Sequence, residues 1–468
     1  MFENMNSFRQ SMQSIFADCP DYICRQLSLC GADAVVLTIR ELADKEYIAD
    51  SVIRPMLEKN DWSGFRGDFC AVLRSSKIAE GGNADDIASA LISGSAVVAV
   101  MTDRLYIAVI SADSYFGRSV SEPSTDVTVK GSKSAFVEDI EKNIAMLRKI
   151  VRTPKLKYID YTLGSETETR VSLMYIEGRA DMRTLERAKK MLLSVSPTVI
   201  TDSASVELIT KERRWGIFPS TGSTEKIEKA ASLLVAGRCL LICDGSPFVL
   251  TLPYVFIEAF QSSEDYVRTP YYATFVRFLR FFAFLLALYL PALCLILVEY
   301  HPDALPSDVY GVIDRLRADI PISLFDELLI MLVMFEVIRE VGLRMPRSVG
   351  DAVGIVGSII IGDAATKAGI ASTTVILVVA VSAVCNFVVP MFSNQTVLLR
   401  FLFLFFAAAW DFYGLIGGSV LLFILLCTKR SYGVWYMKPI MPFSASGMLD
   451  FLIAIPQITV GKKENLRQ

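Results

Sequence analysis

Polar and apolar positions are mixed along the first 270 residues or so, whereas from Phe275 to about Cys427 long apolar runs dominate. Several runs reach the ~18 to 20 residues that span a hydrocarbon core. The pattern predicts a multi-pass membrane domain behind a water-compatible N-terminal half.

Within that half an internal repeat sets the architecture. IASALISGSAVVAVMTDRLYIAVI, from Ile87, matches AASLLVAGRCLLICDGSPFVLTL, from Ala230. Ala88-Ser89 falls on Ala231-Ser232, Leu91 on Leu234 and Gly94 on Gly237, while Asp103 lies near Asp244. Each copy reads as a short helix, a glycine C-cap, an apolar strand, a tight turn and a second strand. Upstream, a strand Asp33 to Ile39 and a helix Asp44 to Lys59 correspond to Arg170 to Ile176 and Asp181 to Ser194. The expected fold class is an α+β N-terminal cytoplasmic region of two related α/β modules, followed by an all-α multi-pass transmembrane domain. Its segments are a leader at 1–29, module 1 at 30–115, a linker at 116–160, module 2 at 161–260, transmembrane helices at 270–430 and a cytoplasmic tail at 431–468.

The linker carries an amphipathic helix, with Phe136, Ile140, Ile144, Leu147 and Val151 at helical spacing. Ser134, with Glu138 and Asp139, supplies its cap and first-turn charge. Its basic end, Arg148, Lys149, Arg152, Lys155 and Lys157, reads either as a solvated face or as a contact with lipid headgroups.

The first apolar run extends to Val298, and Arg277 and Arg280 at its start put that edge in the cytoplasm by the positive-inside rule. Pro291 reads as a kink, because neighbouring helices re-satisfy the freed backbone groups. His301 to Asp308 is a loop on the far side, and a second segment, Ile322 to Gly342, returns to Arg344 and Arg347. A third covers Val349 to Ile370, and a fourth runs from Thr374 to Val389 before Pro390. The last, Leu398 to Cys427, is one long tilted helix or a hairpin turning at Asp411, the turn being preferred. Lys429, Arg430 and Lys438 favour a cytoplasmic end, hence an even number of crossings.

Composition narrows the function. Charged residues are 21% of the chain, below the about 25% of soluble domains. A net charge of -3 gives no footprint for nucleic acid. One histidine, His301, supplies neither a His-based zinc site nor a triad. The nine cysteines are scattered without C-x-x-C pairs, as free thiols in a reducing compartment are. The start lacks the apolar core of a secretory signal, so the N-terminal half is expected to stay cytoplasmic. With no phosphate-cradling loop either, neither an enzyme nor a bound cofactor or metal is expected.

Two segments carry candidate chemistry. In the second, Asp326, Glu336, Glu340 and Arg344 fall within roughly 80° of helix surface, with Arg339 beside them. Ionisable groups at membrane depth cost several kcal/mol unless paired or facing water, so these are an ion path or a static Glu336–Arg339–Glu340 cluster. In the third, Gly350, Gly354 and Gly357 share one side and permit close helix packing. The apolar Val353, Ile355, Val356, Ile359, Ile360 and Ile361, repeated around an oligomer axis, can close a pore by dewetting. Asp351 and Asp363 bracket this stretch, as mouths of a cation path or as helix ends.

Longer motifs join these features. GRSVSEPSTDVTVKGSKSAFVEDIEKN from Gly117, CDGSPFVLTLP from Cys243, FQSSEDYVRTPYYATFVRFLRFF from Phe260, FEVIREVGLRMPRSVGDAVGIVGSIIIGDAATKAGI from Phe335 and SYGVWYMKPIMPF from Ser431 are similar to the A subunit of GerA-type spore germination receptors. That family also includes the stage V sporulation protein AF. The resemblance implies a multi-pass protein of the spore inner membrane with its N-terminal domain facing the spore core. It further implies a homo-oligomeric, pentameric cation channel working beside a transporter-like, nutrient-binding B-type subunit and a C-type lipoprotein in membrane lipid. Pore lining is carried over to Val349 to Ile361, with Glu336 and Glu340 as acidic neighbours. An AF-like amplifying channel, or a scaffold that does not conduct, is the alternative. The short leader departs from relatives with a longer polar extension.

Overall fold

The computed structural model describes residues 2, 4–75, 77–112, 134–194, 197–212, 216–266, 268–345, 357 and 359–443. They form two units, Met1–Tyr254 with Ser431–Val434, and Val255–Arg430 with Trp435–Gln468.

The first unit contains two antiparallel five-stranded sheets of the same topology. One has β1 (Tyr22–Leu29), β2 (Ala32–Ile39), β3 (Ile78–Glu80), β4 (Ser95–Met101) and β5 (Leu105–Ser111) in the order β1-β2-β4-β5-β3. The other has β6 (Leu156–Leu163), β7 (Thr169–Ile176), β8 (Gly222–Thr224), β9 (Cys239–Cys243) and β10 (Val249–Leu252) in the order β6-β7-β9-β10-β8. The repeat extends to register, since Val36 faces Val98 in one sheet and Leu173 faces Leu241 at the corresponding place in the other. Gly94 and Gly237 end the equivalent helices at φ of 91° and 88°, a left-handed conformation that a side chain resists. At Gly237 an added Cβ would also meet the Arg179 carbonyl oxygen at 2.5 Å.

Both faces of each sheet are covered, which is why the central strands read as unbroken apolar runs. In the first module Val36, Val98 and Val100 pack with Met56 and Trp62. Val35, Leu37, Val97 and Ala99 pack on the other face with Leu91 and with Phe8 and Met12 of α1 (Met5–Ile15). The segment expected to be a leader therefore supplies α1 and edge strand β1. The following helical stretch is broken, α2 (Lys45–Ile48) passing through a π turn at Ala49–Ile53 into α3 (Arg54–Glu58). It is followed by α4 (Ala84–Ile92).

The linker helix, α5 (Ile140–Ile150), is a shared wall. Ile140, Ile144, Leu147 and Val151 join the core of the second module, while Ala145 joins that of the first. Its cap is Asp139, whose carboxylate accepts from the Glu141 and Lys142 amides, rather than Ser134. The basic end is not one exposed surface, because Arg148 is buried against Asp21 and Lys157 is buried 2.8 Å from Glu177. The second module is completed by α6 (Met182–Ser194), α7 (Ser203–Ile209) and α8 (Ile227–Val235). Residues 431–434, read as tail, also belong here: the Tyr432 hydroxyl donates to Thr210 O at 3.0 Å and the Ser431 hydroxyl to Ser220 O at 2.7 Å.

The second unit is helical. It contains α9 (Pro270–Leu295), α10 (Ser307–Arg317), α11 (Leu324–Arg344), α12 (359–367), α13 (Thr373–Phe387) and α14 (Ser393–Thr428). By length and composition, two helical stretches among the described residues can cross a membrane, Pro270–Tyr300 and Pro390–Thr428. Pro291 lies inside α9 without ending it. At the start of α9, Asp265 accepts from Arg277 at 3.1 Å and Arg280 at 2.8 Å.

The long α14 reverses direction. Trp410 and Asp411 leave helical geometry, Asp411 at φ 55°, and the Cβ position of Gly414 is 2.0 Å from the Phe406 carbonyl oxygen. In a continuous helix those residues would be about 12 Å apart. Both ends of α14 consequently meet one aromatic cluster, where Phe256 stacks on Phe392 at 5.2 Å and donates its amide to Tyr436 O, whose own amide reaches Lys429 O.

Candidate functional site

The charged face of α11 breaks into separate groups. At its first turn Ser323 caps the helix, accepting from the Asp326 amide, and donates its hydroxyl to the Asp326 carboxylate at 2.7 Å. Glu327, one turn into the same helix, is fully buried. It accepts from Arg317 at 2.9 Å and from both the amide and the hydroxyl of Ser372 at 2.9 Å. A carboxylate thereby satisfies the Ser372 amide at the opening of α13 and sits at the positive end of that helix, and it places the starts of α11 and α13 at the same end of the unit.

Farther along, Glu336 accepts from Arg339 at 2.7 Å and from Arg400 of α14 at 2.7 Å. Arg400 has no exposed side-chain surface. Its other nitrogen donates to the Ser382 hydroxyl at 3.1 Å, which donates to Ala287 O at 2.9 Å. Arg339 also donates to Ser393, whose hydroxyl accepts as well from Asn386. One polar seam thus crosses α9, α11, α13 and α14. Two guanidinium groups share one carboxylate within it, and Arg400 Nε and Asn386 Oδ1 are buried without hydrogen-bond partners. In helices this apolar, each unpaired ion would cost several kcal/mol, so Glu336 is what makes burial of Arg400 tolerable. A cleft of about 470 Å³ borders the seam, lined by Val333, Glu336, Val337, Arg339, Glu340 and Phe401 among others.

Of the residues the sequence singled out, Glu336 and Arg339 meet in this seam, while Glu340 pairs outward with Arg344 at 2.7 Å. Asp326 stands apart as a capping group. Val349, Gly350, Asp351, Val353, Gly354 and Val356 lie outside the described residues. Gly357 is helical with open space at its Cβ position, Ile360 is 60% exposed, and Asp363 pairs with Lys367 at 2.7 Å on the surface. Arg400, Ser382 and Ser393 were missed, although an arginine inside LLRFLFLFF is a signal that the same cost argument detects. Midway along α14, at the reversal, the His301 ring lies 2.7 Å from Asp411. No cluster of three or more metal-ligating side chains occurs among the described residues.

A family profile described as "Bacillus/Clostridium GerA spore germination protein" matches residues 10–466. Spore germination protein KA of Bacillus subtilis is 34% identical over 96% of this chain and 85% of its own length. Spore germination protein GerLA of Bacillus cereus is 30% identical over 98% and 93%. The Bacillus subtilis protein named "Uncharacterized membrane protein YfkQ" is 30% identical over 98% and 90%. Among solved structures, the N-terminal domain of the A subunit of the Bacillus megaterium spore germinant receptor GerK3 aligns with 54% of this chain and 96% of that one, at 23% identity and a TM-score of 0.41. The two α/β modules and the helical unit fall within one continuous match, and the chain belongs to the GerA family of spore germination proteins.

Proposed function

We propose that the chain is the A subunit of a spore germinant receptor, a multi-pass protein of the spore inner membrane that assembles with copies of itself into a cation channel. The observation that carries this reading is the family match along residues 10–466, together with relatives named as germination proteins over nearly their whole length. Membrane residence is supported by the two long apolar stretches and by the name of the YfkQ relative. Arg277 and Arg280 before the apolar body of α9, and Lys429 and Arg430 after α14, favour a cytoplasmic N-terminal region by the positive-inside rule. All nine cysteines are free, in keeping with a reducing compartment.

In this reading the segment from Val349 to Ile361 lines a pentameric pore. A nutrient-binding B-type subunit biases the gate, and a C-type lipoprotein completes the receptor. The energetic demand is a few kcal/mol of differential affinity between closed and open states. Replacing Val353 or Ile360 with alanine should produce constitutive ion leak from vesicles containing the full-length protein. Unchanged permeability in a well-expressed variant would count against the gate.

The locked pairing of Glu336 with Arg339 and Arg400 favours a second reading, a scaffold that clusters receptors without conducting. That reading predicts no current from the purified oligomer.

A further inference from the structure

Helix α10 carries an apolar stripe with no cover. Val309, Val312, Ile313 and Leu316 occupy about 100° of its surface. None is buried, and Val309, Val312 and Leu316 are 47%, 49% and 46% exposed. All the charged residues of the helix lie outside that arc. We infer that α10 is an in-plane membrane helix whose stripe sits in the zone where lipid headgroups meet acyl chains, an inference that rests on the membrane reading above.

Orientation supplies the first argument. Arg317 reaches Glu327 at 2.9 Å and so marks the side of α10 that faces the helical unit. At about 100° per residue the stripe is turned roughly 90° from that side, and Gly311 and Asp314 lie opposite the stripe. A helix lying beside a bundle at a bilayer surface has these three directions: protein to one side, lipid beneath and water above. The chain also holds α10 at that level, because only residues 301–306 separate it from the membrane-length stretch ending at Tyr300.

Size argues against a protein as occupant. Four half-exposed aliphatic side chains offer on the order of 300 Å², well under the about 800 Å² that each partner contributes to a stable interface. Asp308 and Asp314 offset Arg315 and Arg317, so hydrophobic burial, rather than attraction to anionic headgroups, is the driving term.

The test places the photoreactive residue p-benzoylphenylalanine, in separate full-length proteins, at Val312, Leu316, Asp314 or Phe282. Each is reconstituted in vesicles of phosphatidylethanolamine and phosphatidylglycerol, irradiated, and its adducts identified by mass spectrometry. Phe282 is an exposed apolar position of α9 and reports whether the chain is embedded at all. The expected result is lipid adducts at 312 and 316 about tenfold above those at 314. Adducts to protein at 312 and 316, or lipid yields no higher than at 314 while position 282 labels lipid, would overturn the inference and leave the membrane reading standing. Absence of lipid adducts at 282 would overturn both.

Discussion

Arg148 and Asp21 are both buried where α5 meets the end of the β1–β2 pair, and one guanidinium nitrogen donates to the Asp21 carboxylate at 2.8 Å. Replacing Arg148 with methionine leaves Asp21 as a buried charge without its partner, a loss that typically costs about 3–5 kcal/mol. The expected outcome is a large drop in the urea midpoint of the N-terminal unit, followed through the fluorescence of the buried Trp62. Glu41 is buried in the same joint and accepts from the Tyr158 hydroxyl at 3.1 Å. Burial pushes its carboxyl up from the ordinary value, and the charge of Asp21 pushes it further, against smaller opposing effects of the Tyr158 hydrogen bond and Arg148. Arg170, held by Asp160 nearby, also feels the Glu41 charge. Because the folded state holds this proton more tightly, the contribution of Glu41 is complete below its unfolded pKa of about 4.3 and is lost as pH rises through the folded value. Urea titrations between pH 4 and pH 8 should therefore show a downward slope that Glu41→Gln flattens. Equal slopes in the two proteins would show that Glu41 is not the titrating group.

At the level of elements, the hairpin of α14 depends on glycine at its inner face. An alanine at Gly414 would put its Cβ 2.0 Å from the Phe406 carbonyl oxygen, and backbone cannot yield cheaply. At Gly418 the nearest atoms are the Phe406 and Phe403 rings at 2.7 and 2.9 Å, and Gly417 meets nothing within 4 Å. Thermal melts in detergent should accordingly rank Gly414→Ala lowest, by about 1–3 kcal/mol or more, with Gly418→Ala between it and a neutral or slightly stabilised Gly417→Ala. A melt of Gly414→Ala matching wild type would mean that the two legs are not packed this closely. How much of these elements the sequence discloses depends on how local their causes are. The twin modules were legible because apolar strands and glycine caps recur at matching offsets. The reversal at Asp411 was legible only as one of two options, since both legs are uniformly apolar and the pairing of Asp411 with His301 is a distant contact. Helix α10 was hidden because its four aliphatic residues are diluted by aspartates and arginines in any hydropathy window. The burial of Arg148 was hidden because a basic helix end reads as solvated until Asp21, 127 residues away, is brought beside it.

At the scale of the whole molecule, the seam in the helical unit gives a way to separate an ion path from a structural tie. The sequence identified Glu336 and Arg339 by their cost in an apolar helix, but not Arg400, the partner that decides what the carboxylate does. Glu336→Gln alone leaves Arg400 buried beside Arg339 with no carboxylate, so it should lower stability by about 3–5 kcal/mol and, in the oligomer proposed above, abolish assembly whether or not the protein conducts. Removing both charges with Glu336→Gln and Arg400→Met eliminates the stranded ion, and such paired replacements are often neutral or stabilising. The double variant should therefore recover folding and oligomer yield, which size-exclusion in detergent reads. If the protein conducts and Glu336 borders the path, the recovered oligomer in vesicles will show altered cation selectivity. If the pair is only a tie, selectivity will match wild type although a formal charge has been removed from each helix. Failure of the double variant to assemble would show that Arg400 acts through its bonds to Ser382 and the α9 backbone rather than through its charge.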